Sequence, residues 1–207
     1  MDFLKVISML PIHGVLDAID CLWINPRSAD EAAHRKPFQW EMAFRVGMNL
    51  PRTLVTNDPK SARSFIEQVG VGRTVFKAFL ASTKEWRETR LVEMSDLTRL
   101  ETVRYAPVIF QEYIEGVDLR ITVIGDQIYT AEIDARKTSY PFDMRMVIGE
   151  ADIRPIDLPS AVRNQILRFM KELGLIYGRA RSSFLDRLST LLQETGAEKR
   201  LISTIVK

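Results

Sequence analysis

A two-residue turn between two strand-like segments is the feature that most constrains the fold of this chain. Gly125 and Asp126 separate segments 119–124 and 127–133, both rich in β-branched residues. So short a connection permits only antiparallel pairing of the two strands. Three further segments have the composition of strands: 74–79, 90–94 and 108–114. Together these segments predict an antiparallel sheet.

Helical segments flank these strands. One helix is predicted to begin at Pro37 and end at Gly47, because proline is favoured in a first helical turn and glycine just after a last one. After a short strand at 53–56, a second helix follows the capping residue Asp58, and a third follows Pro159. Helices at both ends with hairpins between them predict an α+β fold.

Charge and cysteine content exclude several classes of protein. The formal net charge of the 207 residues is only +2, too small to predict a nucleic-acid partner. The one cysteine, Cys21, cannot form an internal disulfide, which fits a reducing cytoplasm. No segment reaches the roughly 20 apolar residues of a membrane span. We expect a cytoplasmic protein without membrane or nucleic-acid partners, and a homodimer is compatible with the sequence.

Two lysines stand where an anion could bind. Lys77 lies within the apolar segment 74–79, where it either faces solvent or meets an anion, because burying an unpaired lysine is costly. Lys36 directly precedes a predicted helix start, which itself attracts anions, although this residue taken alone favours an ordinary surface position.

The polar end of one strand could contact a purine. Segment 108–114 is apolar at its start and finishes with Gln111, Glu112, Tyr113 and Ile114. Backbone N–H and C=O groups at such a strand end can pair with the edge of a base.

A carboxylate and an arginine follow with strand spacing. Asp118 and Arg120 are two residues apart, so they share one face of a strand. A carboxylate can accept hydrogen bonds from ribose hydroxyls, and an arginine suits phosphate or carboxylate; a surface ion pair is the alternative. Asp143 and Arg145 repeat this spacing in a predicted loop.

The order of these motifs resembles that of a known enzyme family. Residues 20–178 resemble the ATP-grasp maturases of ribosomal peptides, the microviridin-type or graspetide ligases, which are relatives of the RimK family. The motifs that carry the resemblance are Trp-Ile-Asn-Pro at 23–26, Lys-Pro-Phe-Gln at 36–39, Pro-Arg-Thr-Leu-Val-Thr-Asn-Asp-Pro at 51–59, Val-Phe-Lys at 75–77, Pro-Val-Ile-Phe-Gln-Glu-Tyr-Ile at 107–114, Asp-Leu-Arg at 118–120 and Leu-Gly-Leu-Ile-Tyr-Gly at 173–178.

This resemblance implies a role for each candidate residue and ATP with Mg²⁺ as cofactors. Phosphate contacts are implied for Lys36 and Lys77, adenine contacts for the hinge formed by Gln111, Glu112, Tyr113 and Ile114, ribose binding for Asp118, a structural or phosphate-related role for Arg120, and contact with the triphosphate and acyl phosphate for Arg145. The loop 80–87 occupies the position of the family's phosphate-covering flap. Because adenine and phosphates lie along one sheet surface in the family, the resemblance also implies that Lys77 and the end of strand 108–114 share one face of the sheet.

Two departures from the family are visible. Residues 1–22 resemble only the last part of the family's N-terminal domain, residues 23–178 form the nucleotide-binding region, and 179–207 are a divergent tail with a helical leucine stripe. After Gly178, where the family has Ala-Ile-Asp, the chain reads Arg179-Ala180-Arg181, and no Glu-x-Asn occurs in it. The resemblance therefore predicts an ATP-grasp fold with an incomplete C-terminal subdomain and without the family's magnesium ligands.

Three functional hypotheses follow. The first is a ligase that phosphorylates Asp or Glu side chains of a precursor peptide and closes ester or amide crosslinks. The second is a non-catalytic remnant that still binds nucleotide or peptide. The third, a basic-tailed binding module of another class, rests only on residues 179–207.

Overall fold

The computed structural model describes residues 12–78, 89–114, 116–134, 136–139 and 148–182. Its helices are α1 (Arg27–Ala33), α2 (Lys36–Arg45), α3 (Pro59–Val69), α4 (Met94–Leu97) and α5 (Ser160–Glu172), with a 3₁₀ helix at Leu100–Tyr105 and a further short helix at 12–17. Its strands are β1 (Thr53–Thr56), β2 (Thr74–Ala78), β3 (Arg90–Leu91), β4 (Val108–Glu112), β5 (Asp118–Ile124), β6 (Gln127–Asp134), β7 (Asp152–Pro155) and β8 (Tyr177–Ser182).

The strands form two antiparallel sheets rather than the single sheet expected from the sequence. The first sheet has the order β1-β4-β2-β3, and the second has the order β7-β6-β5-β8. The α+β class is confirmed, because helices flank both sheets. Two sheets arise because each pairs with its own apolar helices, so that the chain builds two separate cores.

Each sheet has one face in a core. In the first, Phe110 of β4 packs with Ala62 and Ile66 of α3. In the second, β5 packs against α2 and α5 through the apolar residues Leu119, Ile121, Val123, Met42, Ala43, Val162, Ile166, Phe169 and Met170. On its opposite face, the first sheet carries Lys77 and Gln111 beside the buried apolar residues Val75 and Ile109.

Local sequence signals account for most of the element boundaries. Asp58 caps α3 by accepting hydrogen bonds from the backbone N–H groups of Lys60 and Ser61, as predicted. Gly125 has a positive φ of 59° in the two-residue turn between β5 and β6, which confirms the predicted hairpin. Gly174 has a φ of 69° just after α5.

One predicted strand is wrong over most of its length. Segment 90–94 is a strand only at Arg90–Leu91, and Met94 begins helix α4. The reason is a capping box, in which the Glu93 and Asp96 side chains each bond the other residue's backbone N–H. Arg90 reinforces it with two hydrogen bonds of 2.6 Å to Asp96.

Among the described residues, no helix is long and apolar enough to cross a membrane.

Candidate active site

Lys77 and Gln111 lie together on the face of the first sheet that points away from α3. In the register between β2 and β4, Phe76 is opposite Phe110, while Val75 is opposite Gln111. Phe110 points into the core with α3, so the alternate residues Lys77 and Gln111 occupy the other face. Their predicted placement on one face is confirmed.

A chain of hydrogen bonds fixes these two side chains. Lys77 Nζ donates to Gln111 Oε1 at 2.6 Å, and Gln111 Nε2 donates to Thr53 Oγ1 at 2.8 Å. Thr53 Oγ1 in turn donates to the Pro51 carbonyl at 2.8 Å. The half-buried ammonium group is thereby held at a defined place on the sheet surface. Because the amide of Gln111 is neutral, this contact leaves the positive charge of the lysine intact.

The predicted hinge begins at a strand end that is clamped on two sides. The Glu112 N–H donates to the Arg52 carbonyl at 2.9 Å, and the Tyr113 N–H donates to the Arg73 carbonyl at 2.7 Å. The strand ends at Glu112, two residues earlier than predicted, and Ile114 follows outside it. The clamps give this connection between the two sheets a rigid start.

Asp118 and Arg120 share a face of the second sheet, as their spacing predicts. Leu119, Ile121 and Val123 are each only 1% exposed and point into the core. Asp118, Arg120 and Thr122 therefore project from the opposite face, where all three are half-buried. Within the second sheet, Asp118 is opposite Ile133 and Arg120 is opposite Ala131 of β6.

Strand β8 adds arginine to this face. Its Gly178 points into the core, because a Cβ there would lie 2.6 Å from Cε of the buried Met170. Arg179 therefore points the other way; it is exposed and stands opposite Thr122 of β5. Further along β8, Arg181 is in register with Arg120. The strand runs on to Ser182, beyond the predicted boundary at Gly178.

Asn25 holds the start of β8 in place. Its Oδ1 accepts hydrogen bonds from the backbone N–H groups of Ile176 and Tyr177 at 2.8 and 2.7 Å. Its Nδ2 donates to the Tyr177 carbonyl at 2.8 Å. In the sequence, Trp-Ile-Asn-Pro is only one of the motifs that carry the resemblance, so this positioning role was missed. The resemblance gives the order of Trp-Ile-Asn-Pro and Leu-Gly-Leu-Ile-Tyr-Gly along the chain, but order alone does not predict a contact between them.

The structure assigns the two predicted phosphate-binding lysines to different halves. Lys36 is the first residue of α2, and Met42 and Ala43 of that helix pack in the core of the second sheet. Lys77 belongs to the first sheet. Arg145 and the predicted flap at 80–87 lie outside the described residues, as does the predicted helical stripe of the tail.

The residues at β8 do not fit a magnesium ion. Mg²⁺ takes oxygen ligands in near-octahedral geometry. At the β8 positions next to Thr122 and Arg120 the chain carries arginine. Among the described residues, no group of three His, Cys, Asp or Glu side chains could hold a metal.

Comparison with known proteins identifies the fold. No protein-family model and no curated protein match the sequence. Among solved structures, the macrocyclase MdnC of Microcystis aeruginosa MRC, bound with precursor peptide MdnA, is 29% identical with a TM-score of 0.73; the match covers 88% of this chain and 60% of that one. A RiPP-associated ATP-grasp ligase of Chryseobacterium gregarium, in complex with ADP and a leader and core peptide, is 24% identical with a TM-score of 0.78; 99% of this chain and 62% of that one are covered.

This chain has the ATP-grasp fold. The resemblance to peptide-maturing ATP-grasp ligases is confirmed by a third structure, ligase PsnB complexed with minimal precursor, Mg and ADP. PsnB is 28% identical with a TM-score of 0.64, and the match covers 88% of this chain and 52% of PsnB. The chain thus spans about three fifths or less of the length of these ligases.

Proposed function

We propose that this chain binds ATP as the nucleotide-binding part of a ligase that acts on a ribosomally made precursor peptide. The observation that carries the proposal is Lys77 on the face of the first sheet away from α3, held by Gln111 beside the clamped strand end. Residues 23–178 form the nucleotide-binding region in this proposal. The ligase is favoured over a non-catalytic remnant because similar structures contain precursor peptide together with ADP or AMPPNP.

Different described residues contact the phosphates, the adenine and the ribose of the nucleotide. The ammonium group of Lys77 attracts phosphate, which as a charged acceptor forms a stronger hydrogen bond with it than the neutral amide of Gln111 does. The Glu112 and Tyr113 N–H groups are already used by the sheet, so an adenine edge would pair with the other backbone groups of the hinge, including those of Ile114. Asp118 is half-buried at the start of β5 and can accept hydrogen bonds from ribose hydroxyls.

The resemblance supplies the other assignments and the reaction. Lys36 contributes a second phosphate contact, and Arg145 contacts the triphosphate and the acyl phosphate. Arg120 is a phosphate contact or a structural neighbour of Asp118. In the reaction, a carboxylate oxygen of the peptide attacks the γ-phosphorus of ATP and ADP leaves. A Ser or Thr hydroxyl, or a Lys amine, then displaces phosphate from the acyl carbon. The chain would act in a reducing cytoplasm, without nucleic acid, alone or as a homodimer.

Calorimetric titration with ATP tests the nucleotide site. We expect saturable binding by the wild-type chain that GTP does not reproduce, since the hinge would read the purine edge. A Gln111→Leu variant, which removes the hydrogen-bond partner of Lys77, should bind more weakly, while Gln68→Leu on the exposed side of α3 should not. Absence of ATP binding by a folded wild-type chain would refute the proposal.

A further inference from the structure

An arginine-bearing face on the second sheet is the feature that the proposed function leaves unexplained. Arg120 and Thr122 project from β5 on the face away from the core. Arg179 of β8 stands opposite Thr122 on that same face, and Arg181 is in register with Arg120. Asp118 is the carboxylate that β5 contributes to this face. The described part of this surface therefore carries more positive than negative charge.

The packing of β8 fixes the direction of its arginine. Gly178 is buried and approaches Met170 so closely that a side chain there would collide with its Sδ at 2.9 Å. Asn25 bonds the backbone of Ile176 and Tyr177 just before it. A shift of β8 by one residue would break both contacts and turn Arg179 towards the core. The exposed guanidinium is thus a built feature of this face and not a consequence of a loose strand end.

We propose that the phosphates of the nucleotide are neutralised here by arginine, so that the chain binds ATP as the free anion rather than as its magnesium complex. This inference rests on the proposed nucleotide-binding function. A guanidinium group forms bidentate, charge-assisted hydrogen bonds with phosphate oxygens. It also repels a dication, so the same residues that favour the bare triphosphate disfavour Mg²⁺. Binding of ATP without Mg²⁺ would explain both the arginine residues of this face and the poor fit of β8 to a magnesium ion.

The test is a calorimetric titration of the full chain with ATP, once in buffer with Mg²⁺ and once in EDTA without it. We expect binding in EDTA to be at least as tight as with Mg²⁺. Binding that requires Mg²⁺ would overturn the inference and leave the nucleotide-binding function standing. Absence of binding in both buffers would overturn the proposed function and this inference with it.

Three arginine variants locate the effect. Arg179→Ala should weaken ATP binding in EDTA by roughly tenfold or more, the usual loss for one charge-assisted hydrogen bond. Arg168→Ala, an exposed arginine on α5, is the matched control and should leave the affinity unchanged. Arg179→Lys keeps the charge without the planar fork and should fall between them. Equal affinity of Arg179→Ala and wild type in EDTA would remove Arg179 from the site and overturn the inference.

Discussion

The two sheets differ in how closely their side chains match those that the resembling ligases imply. The first sheet carries Lys77, Gln111 and the clamped strand end, an arrangement suited to phosphate and adenine. The second keeps Asp118 but presents arginine on β8, where an acidic residue is expected from the resembling ligases. In the proposed function, both halves contact the nucleotide, but the second half offers arginine where the magnesium needed for phosphoryl transfer would be held. Binding and turnover should therefore be separable in this protein.

Turnover provides the largest expected contrast. We expect ligation of a precursor peptide by this chain to be slower than that by MdnC acting on MdnA by several orders of magnitude. Charge stabilisation is the main contribution to phosphoryl transfer, and losing a single stabilising arginine already costs about 10³–10⁵ in rate. The measurement is peptide mass after incubation with ATP and Mg²⁺, since each crosslink releases one water. Crosslinking at a rate comparable with that of MdnC would show that the second half supports phosphoryl transfer despite its arginine residues.

Removal of Lys77 tests the first sheet alone. Lys77→Ala should weaken ATP binding by about 10- to 100-fold, because a hydrogen bond to a charged group contributes about 1.5–3 kcal/mol. Lys60→Ala, at an exposed position near the start of α3, is the control and should have no measurable effect. Circular dichroism of both variants would verify folding. Equal effects of the two changes would remove the structural case for Lys77.

Lys84 lies in the predicted flap, outside the described residues. We expect Lys84→Ala to weaken ATP binding less than Lys77→Ala does, in the same titration.

The next largest effect is on the stability of the fold, through the packing of β8 against Met170. Gly178→Ala places a methyl group 2.6 Å from Cε of Met170, so the core must shift. Overpacking of this kind costs about 1–3 kcal/mol, and because the methionine end is flexible we expect the lower part of that range. Urea denaturation measures the loss. A Gly178→Ala, Met170→Ala double variant should lose less than the sum of the single changes. Additive losses would argue against this contact.

Local signals allowed the sequence to predict much of the fold. The β5–β6 hairpin follows from Gly125 and Asp126, and the start of α3 follows from Asp58, because each depends on residues within a few positions. At 90–94 two local signals conflict. The apolar residues favour a strand, but the capping box of Glu93 and Asp96 begins a helix there.

The candidate site depends on contacts between distant residues, which the sequence could not supply. Gln111 reaches Thr53 across 58 positions, and Asn25 reaches Tyr177 across 152. Both contacts require the strand register to be known first. Composition and spacing alone predicted that Asp118 and Arg120 share a face, but the resemblance was needed to connect them with a nucleotide. The division into two sheets was missed because a hairpin signal shows which two strands pair, but not which pairs of strands belong to the same sheet.

The smallest expected effect is a pH dependence in the second sheet. Asp134, at the end of β6, receives hydrogen bonds from the side chain of Arg136, which lowers the pKa of the carboxyl group from 3.8 to about 2. A depressed pKa in the folded state means that the pair stabilises the fold above pH 3.8 and loses that contribution as the pH falls towards 2. Arg136 is 58% exposed, so solvent screening should limit the effect to about 1 kcal/mol or less.

An Arg136→Ala variant isolates this contribution. It should be slightly less stable than the wild type at neutral pH, and the difference should disappear at about pH 2, because the protonated Asp134 can no longer form the ion pair. Arg45→Ala, which breaks the exposed pair with Glu41 on α2, is a suitable control for general charge effects. Urea denaturation at a series of pH values provides the measurement. A difference that persists unchanged at low pH would mean that Arg136 stabilises the end of β6 by packing rather than through the Asp134 carboxylate.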